Sequence, residues 1–346
     1  MTKKSQKIFN MKKMKKLSFV LLAFLLASCE LFLFEEDRRS ADPLVNFDYL
    51  WLEIDQKYSY FQLKGINWQE VRDRYRPRLT ADADEKQLFD VLAAMMNELR
   101  DDHANLAAPF NVSRFNVPLR SPANFNLRTI EEFYVPNAWL TGAFMHDFLH
   151  NNEIGYLRYS SFRGMFTDEE MDFILTRYKN TRGLILDLRD NGGGIIFNVI
   201  SLLARFTEAK TLIGSNIVRN GPGHNDFSKP RNFFITPFDG LRYTKPVMVL
   251  IDRGSYSATT FFALATKAMP NLTLIGDRTG GGGGLPNGGQ LPNGWFYRFS
   301  VSQLLDLNGN NFAEEGVPPD IEAAFDWSNL ARDEIIERAI AEIMSR

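Results

Sequence analysis

Three stretches near the start of the chain carry apolar residues at helical spacing. Phe47, Leu50, Trp51 and Ile54 put one apolar face on residues 45–58. Asn67-Trp68-Gln69-Glu70 opens a second helix ending near residue 78. The clearest stripe runs over residues 84–100, through Leu88, Val91, Leu92, Met95, Met96 and Leu99, with both methionines as core filling. Residues 109–150 are rich in Asn, Pro and Phe, with short alternations that read as irregular or β. From Glu153 the pattern changes to strands at 154–159, 183–188, 211–218, 246–251 and 272–275, interleaved with helices at 168–179, 195–206 and 257–268. The unbroken apolar run Val247–Ile251 belongs to a strand covered on both faces, which predicts an α/β core. A hairpin of residues 295–300 and 301–307 and a last helix over 330–344 complete the pattern.

The residues before this body change the picture of where it resides. Seven lysines and no acid precede position 29, and an apolar run over 17–27 ends in Leu26-Ala27-Ser28-Cys29. The run is shorter than the roughly 20 residues a membrane span needs, but it suits a signal peptide. Its end resembles the lipobox of bacterial lipoproteins, which implies a lipid-anchored mature chain beginning at Cys29; the alternative is a chance cysteine after an ordinary signal. Met11 or Met14 as the start would give a more usual signal length. Glu30 points to the outer membrane of a bacterial envelope, on its periplasmic or surface face. Cys29 is the only cysteine, so neither an internal disulfide nor a thiolate metal cluster can form. With residues 1–28 set aside, 33 basic residues face 42 acidic ones, a net charge of −9, which argues against nucleic acid as a partner. The expected division is signal peptide 1–28, tether 29–43, helical domain 44–108, irregular or β connection 109–150 and core 151–346.

Three constellations carry candidate chemistry. In the first, the strand 246–251 runs into Asp252-Arg253-Gly254-Ser255-Tyr256-Ser257 and then an apolar helix. A serine there is commonly a helix N-cap, but one held at a helix start also has free amides beside it that can stabilise an oxyanion. The turn lacks the G-x-S-x-G elbow of α/β-hydrolases. In the second, Asp187-Leu188-Arg189-Asp190-Asn191-Gly192-Gly193-Gly194 ends a strand; a phosphate cradle is the rival reading, without a Walker lysine or G-x-G-x-x-G spacing. The third, Arg100-Asp101-Asp102-His103, places a histidine among acids at a helix end. His146 and His150 lie in a Phe-rich stretch and read as surface or core, and His224 reads as a loop residue or a substrate-side contact. No histidine pair or cysteine cluster has ligand spacing, so no metal and no cofactor is expected.

Taken in chain order, the His103 segment, the Asp187–Gly194 loop and the Ser255–Ala258 turn resemble the C-terminal processing (tail-specific) serine peptidases, a family that includes the tricorn core; Gly316-Val317-Pro318-Pro319-Asp320 completes the set. The resemblance implies a crotonase-like ββα spiral of the caseinolytic protease superfamily behind the small helical domain. It implies Ser257 as nucleophile, with Ser255 its competitor, and Gly193 and Ala258 amides as the oxyanion hole. The processing branch carries a lysine about 25 residues after the serine, where this chain has Gly282, and no lysine follows Lys267. The tricorn-like branch uses a histidine, which His103 matches. Its serine before the histidine is here Asp102, and its glutamate is here Ala313, with Glu314 and Glu315 adjacent, so Glu314 is the candidate supporting acid. Only 50 residues separate His103 from Ile154, too few for a PDZ domain. The expectation is a serine endopeptidase acting on peptides or unfolded proteins. The competing readings are an inactive relative that binds a peptide or hydrophobic ligand, and, on fold analogy alone, an acyl-CoA enzyme.

Overall fold

The computed structural model describes residues 39–311 and 314–346, so the expected signal segment, Cys29 and Ala313 lie outside it. Helices α1 (Pro43–Lys57), α2 (Phe61–Lys64), α3 (Trp68–Tyr75) and α4 (Glu85–Asn97) come first. Strands β1 (Asn105–Ala108), β2 (Asn111–Val112), β3 (Trp139–Thr141), β4 (Phe144–Leu149) and β5 (Ile154–Arg158) follow. Then come α5 (Asp168–Arg177), β6 (Gly183–Asp187), α6 (Ile196–Ala204), β7 (Thr211–Val218), β8 (Arg231–Ile235), β9 (Val247–Ile251) and α7 (Ala258–Thr266). The chain ends through β10 (Leu272–Gly276), β11 (Pro286–Gln290), β12 (Phe296–Ser300), β13 (Ser302–Leu305), β14 (Ile321–Glu322) and α8 (Glu334–Met344). Among the described residues, no helix is long and apolar enough to cross a membrane.

A seven-stranded sheet, ordered β14-β10-β9-β6-β5-β4-β3, organises the body. Its pairs from β14 to β5 are parallel, and β4 and β3 add antiparallel at one edge. Alternation along β9 shows why its sequence is apolar throughout: Val247, Val249 and Ile251 face the cluster under α5, α6 and α7, while Met248 and Leu250 face the one under α8. Two differences from the expected boundaries follow. Strands β3 and β4 precede residue 151 yet belong to this sheet, so part of the expected connection is sheet. The helices α1, α3 and α4 do not enclose a core of their own; they share one with Leu291, Trp295, Tyr297 and Phe299 from the β11–β12 region.

The expected hairpin is absent. β12 pairs with β11 and β1 in a four-stranded sheet ordered β11-β12-β1-β2, whereas β13 pairs with β7 in a three-stranded one. A single residue, Val301, separates the two strands, too little for even a two-residue hairpin turn, so the chain crosses from one sheet to the other.

Candidate active site

β6 and β9 are parallel neighbours, and the loops leaving their carboxyl ends meet, as ligand sites do in open α/β sheets. Ser257 stands where the second loop enters α7, a helix with all nine residues buried. Its backbone has φ 58° and ψ −113°, a left-handed conformation that a β-carbon makes costly. Neighbours hold it there: the Ser257 amide donates to the Gly281 carbonyl (2.9 Å) and the Tyr256 amide to the Asn191 carbonyl (3.0 Å). The hydroxyl makes no N-capping bond. It lies 2.9 Å from His103 Nε2 instead. Ser255 has another fate: fully buried, it donates to the Leu188 carbonyl (2.8 Å) and accepts from the Asp252 amide (3.1 Å), tying the turn to the loop after β6.

His103 arrives from the link between α4 and β1, so it is carried by the helical layer and the four-stranded sheet. Its ring is almost wholly buried, and burial pushes its pKa below the ordinary imidazole value; the Asp101 charge opposes this and the Arg298 charge adds to it. The Gly284 carbonyl, by accepting from the ring, favours the imidazolium as the Asp101 charge does.

Asp101 is the acid built into this environment, and no local pattern distinguishes it from Asp102. Its Oδ1 accepts from the His103 amide (2.7 Å) and from Tyr256 Oη (3.2 Å), and its Oδ2 from Ser300 Oγ (2.8 Å). Burial alone would raise its pKa, but Lys64, His103 and these donors hold it below the usual carboxylate range. The Tyr256 ring stands edge-on to His103, 5.2 Å between centroids. Asp102 turns away to accept from the Asn116 (2.5 Å) and Val117 (2.7 Å) amides.

Glu314, the expected supporting acid, is placed elsewhere. Its Oε1 accepts from the buried ammonium of Lys64 at 2.5 Å, and no hydrogen bond joins it to His103. Burial and the Asp101 charge push its pKa up to about 8, against the pull of Lys64. Lys64 Nζ also donates to the Leu99 (3.0 Å) and Arg100 (3.1 Å) carbonyls, so the pair fastens the segment that leads into His103.

The oxyanion donors divide likewise. The Ala258 amide, at the start of α7, has no acceptor among the described residues. The Gly193 amide is already given to Asn191 Oδ1 at 3.0 Å. Gly193 is required for packing: at φ 89°, a β-carbon there would lie 2.6 Å from the Tyr256 carbonyl and 2.9 Å from Ser257 Cβ. A β-carbon at Gly282 would overlap the Tyr256 ring.

A cleft of about 700 Å³ opens onto Ser257 and His103. A smaller apolar hollow of about 200 Å³ adjoins Ser257 and Ala258 and is walled by Phe233, Phe261 and Leu304. The other histidines are away from it. His146 is buried against Thr141 and Arg177, His150 is an exposed turn residue, and His224 stacks on Phe61 beside Asp55. Among the described residues no group of three or more His, Cys, Asp or Glu is arranged to hold a metal ion.

Residues 153–323 match the signature of peptidase family S41, and residues 39–97 match the tricorn protease C1 domain. A solved structure from Parabacteroides merdae, provisionally assigned as a peptidase, is 36% identical with a TM-score of 0.84, covering 88% of this chain and 97% of that one. The carboxy-terminal processing protease CtpA of Bacillus subtilis is 28% identical over 186 residues, 53% of this chain but only 38% of that protein. Mature CPAF shares the fold at 14% identity, with a TM-score of 0.67 over 87% of this chain and 96% of that one.

Proposed function

The chain belongs to peptidase family S41, and we propose that it is a serine endopeptidase in which Ser257 is the nucleophile and His103 the general base. The observation that carries this reading is the 2.9 Å contact between Ser257 Oγ and His103 Nε2, made by a serine in a strained, non-capping conformation. As His103 Nε2 takes the hydroxyl proton, Ser257 Oγ bonds to the peptide carbonyl carbon and the carbonyl π electrons move to oxygen. When that intermediate collapses, the C–N bond breaks and the proton passes from His103 to the leaving amine. Water then repeats the sequence and frees Ser257. The Ala258 amide supplies one oxyanion donor; Gly193 supplies a second after releasing Asn191. Asp101 positions the base by holding its main chain and the Tyr256 ring. The apolar hollow beside Ser257 favours an uncharged, apolar side chain on the acyl side of the scissile bond.

Fluorophosphonate labelling of the purified protein tests the reading. Label should sit on Ser257, vanish in Ser257→Ala and persist in Ser255→Ala. An unlabelled Ser257 in folded protein would leave a binding protein as the function. The substrate class in this reading is peptides or unfolded proteins of a bacterial envelope, reached from a lipid anchor on Cys29 rather than through a PDZ domain. Mass spectrometry of the mature N-terminus should find acyl chains on Cys29, and an unmodified terminus elsewhere would overturn the anchor.

A further inference from the structure

The hollow beside Ser257 is walled by one face of the β13-β7-β8 sheet. Residues directly opposite each other in antiparallel strands place their side chains on the same face, as do residues two apart along one strand. Asn216 stands opposite Leu304 on β13 and opposite Arg231 on β8, and Phe233 follows Arg231 two residues on. Asn216, Leu304 and Phe233 therefore share a face, and all three line the hollow. Phe261 of α7 closes the other side, its ring 5.4 Å from that of Phe233.

One member of this wall is out of keeping with the rest. Asn216 is only 9% exposed, yet its carboxamide has no hydrogen-bond partner among the described residues. Asparagine is depleted in strands, and a buried polar side chain is nearly always paired within the protein. Ser302, two residues before Leu304 on the same face, shows the usual case: its Oγ accepts the Leu285 amide at 2.9 Å. The fold thus has no use for the Asn216 carboxamide, which borders the space an occupant would fill. No charged side chain lines that space.

We infer that Asn216 is a specificity residue: the hollow takes a side chain that is apolar along its length and ends in an uncharged hydrogen-bonding group, which pairs with the Asn216 carboxamide. The inference rests on Ser257 as nucleophile and on the hollow receiving the acyl-side residue. A carboxamide both donates and accepts, so an amide or a hydroxyl tip satisfies it. An occupant ending in a methyl group or a bare ring would shut the carboxamide away from water with nothing to bond.

Two pairs of quenched fluorogenic peptides of nearly equal shape decide it. They differ only in the residue whose carbonyl is attacked: Gln against Met, and Tyr against Phe. In the pair long enough to reach Asn216, the polar member should have a kcat/KM about three- to tenfold higher, the factor that one neutral hydrogen bond supplies. In Asn216→Leu, a change of similar size, the advantage should vanish and the apolar member should gain. An apolar member equal to or faster than its partner in both pairs, with Ser257 still labelled, would overturn the inference and leave the peptidase assignment standing. So would a polar preference that survives intact in a labelled Asn216→Leu protein. Absence of labelling in the parent would remove both readings. The peptide comparison in the parent needs no variant, so misfolding of Asn216→Leu leaves the test intact.

Discussion

Burial sets the pH range in which His103 can act. A base must be neutral before the reaction, and His103 is held below the ordinary imidazole pKa of about 6.5 by desolvation and the Arg298 charge, with Asp101 working against both. The acid limb of kcat/KM should therefore fall below pH 6.5, lower than an exposed histidine would give. His103→Ala should cost at least about a hundredfold. Asp101→Asn removes the charge that favours the imidazolium, so the limb should move to still lower pH while the plateau drops. A merely structural Asp101 would lower the plateau and leave the limb where it was. A steady-state profile of the three proteins measures both effects, and a limb at or above pH 6.5 in the parent would show that His103 is not the titrating base. Ser257 and His103 were singled out through the family resemblance; locally a serine at a helix start reads as an N-cap, and nothing near His103 says that it meets a residue 154 positions later. Asp101 was not, since two adjacent aspartates precede His103 and nothing local says which one turns inward. Glu314 looked like the supporting acid by position; its partner Lys64 is 250 residues away in sequence, a pairing that no local pattern reports.

Among the elements, the loop after β6 owes its shape to charges that never reach the cleft. Arg189 is fully buried and donates from Nε and Nη2 to Asp187 (3.0 and 2.7 Å) and from Nη1 to Asp333 (2.8 Å). Asp333 in turn caps α8 by accepting the Ile335 and Ile336 amides. The network thereby fastens the loop carrying Asn191 and Gly193 to the last helix, across the parallel sheet. Removing one partner strands a buried charge, so Asp333→Ala should cost about 3–5 kcal/mol, read as a fall in the denaturant midpoint. An unchanged midpoint would show that water or rearrangement replaces the pair. The four parallel strands β5, β6, β9 and β10 were readable because their apolar runs lie among helices, whereas β4 fell within the expected irregular or β connection. The supposed hairpin misled because β12 and β13 both alternate, and alternation cannot say that one intervening residue, Val301, carries the chain into another sheet. The absence of any turn residue there was the signal against it.

At the scale of the whole molecule, the helical layer and the large sheet each bring half of the candidate dyad, so the site exists only while both stay folded and docked. Acid pH bears on that directly. His146 on β4 accepts from Arg177 Nη1 through Nδ1 (2.9 Å), which leaves its proton on Nε2 beside Thr141 Oγ1 (2.8 Å). A second proton would face the guanidinium, and burial together with that charge lowers the His146 pKa to about 4. The sign follows from linkage: as pH falls from 6.5 towards 4, the unfolded chain takes up a proton that the folded one refuses, so stability is lost across that window. His103, also lowered, adds loss of the same sign beginning at 6.5. Asp187 acts later. Burial would raise its pKa, but Arg189 and Arg158 bring it to about 2, so its contribution, complete above the unfolded value near 3.8, is lost as pH falls from there through 2. Thermal unfolding followed from pH 7 to pH 3 should thus show Tm falling first between 6.5 and 4. In His146→Gln the slope in that first window should be shallower, whatever the variant does to Tm at neutral pH, because the amide cannot take up the proton. A slope identical to the parent's would mean that His146 is protonated in the folded protein, and that Arg177 moves aside to allow it.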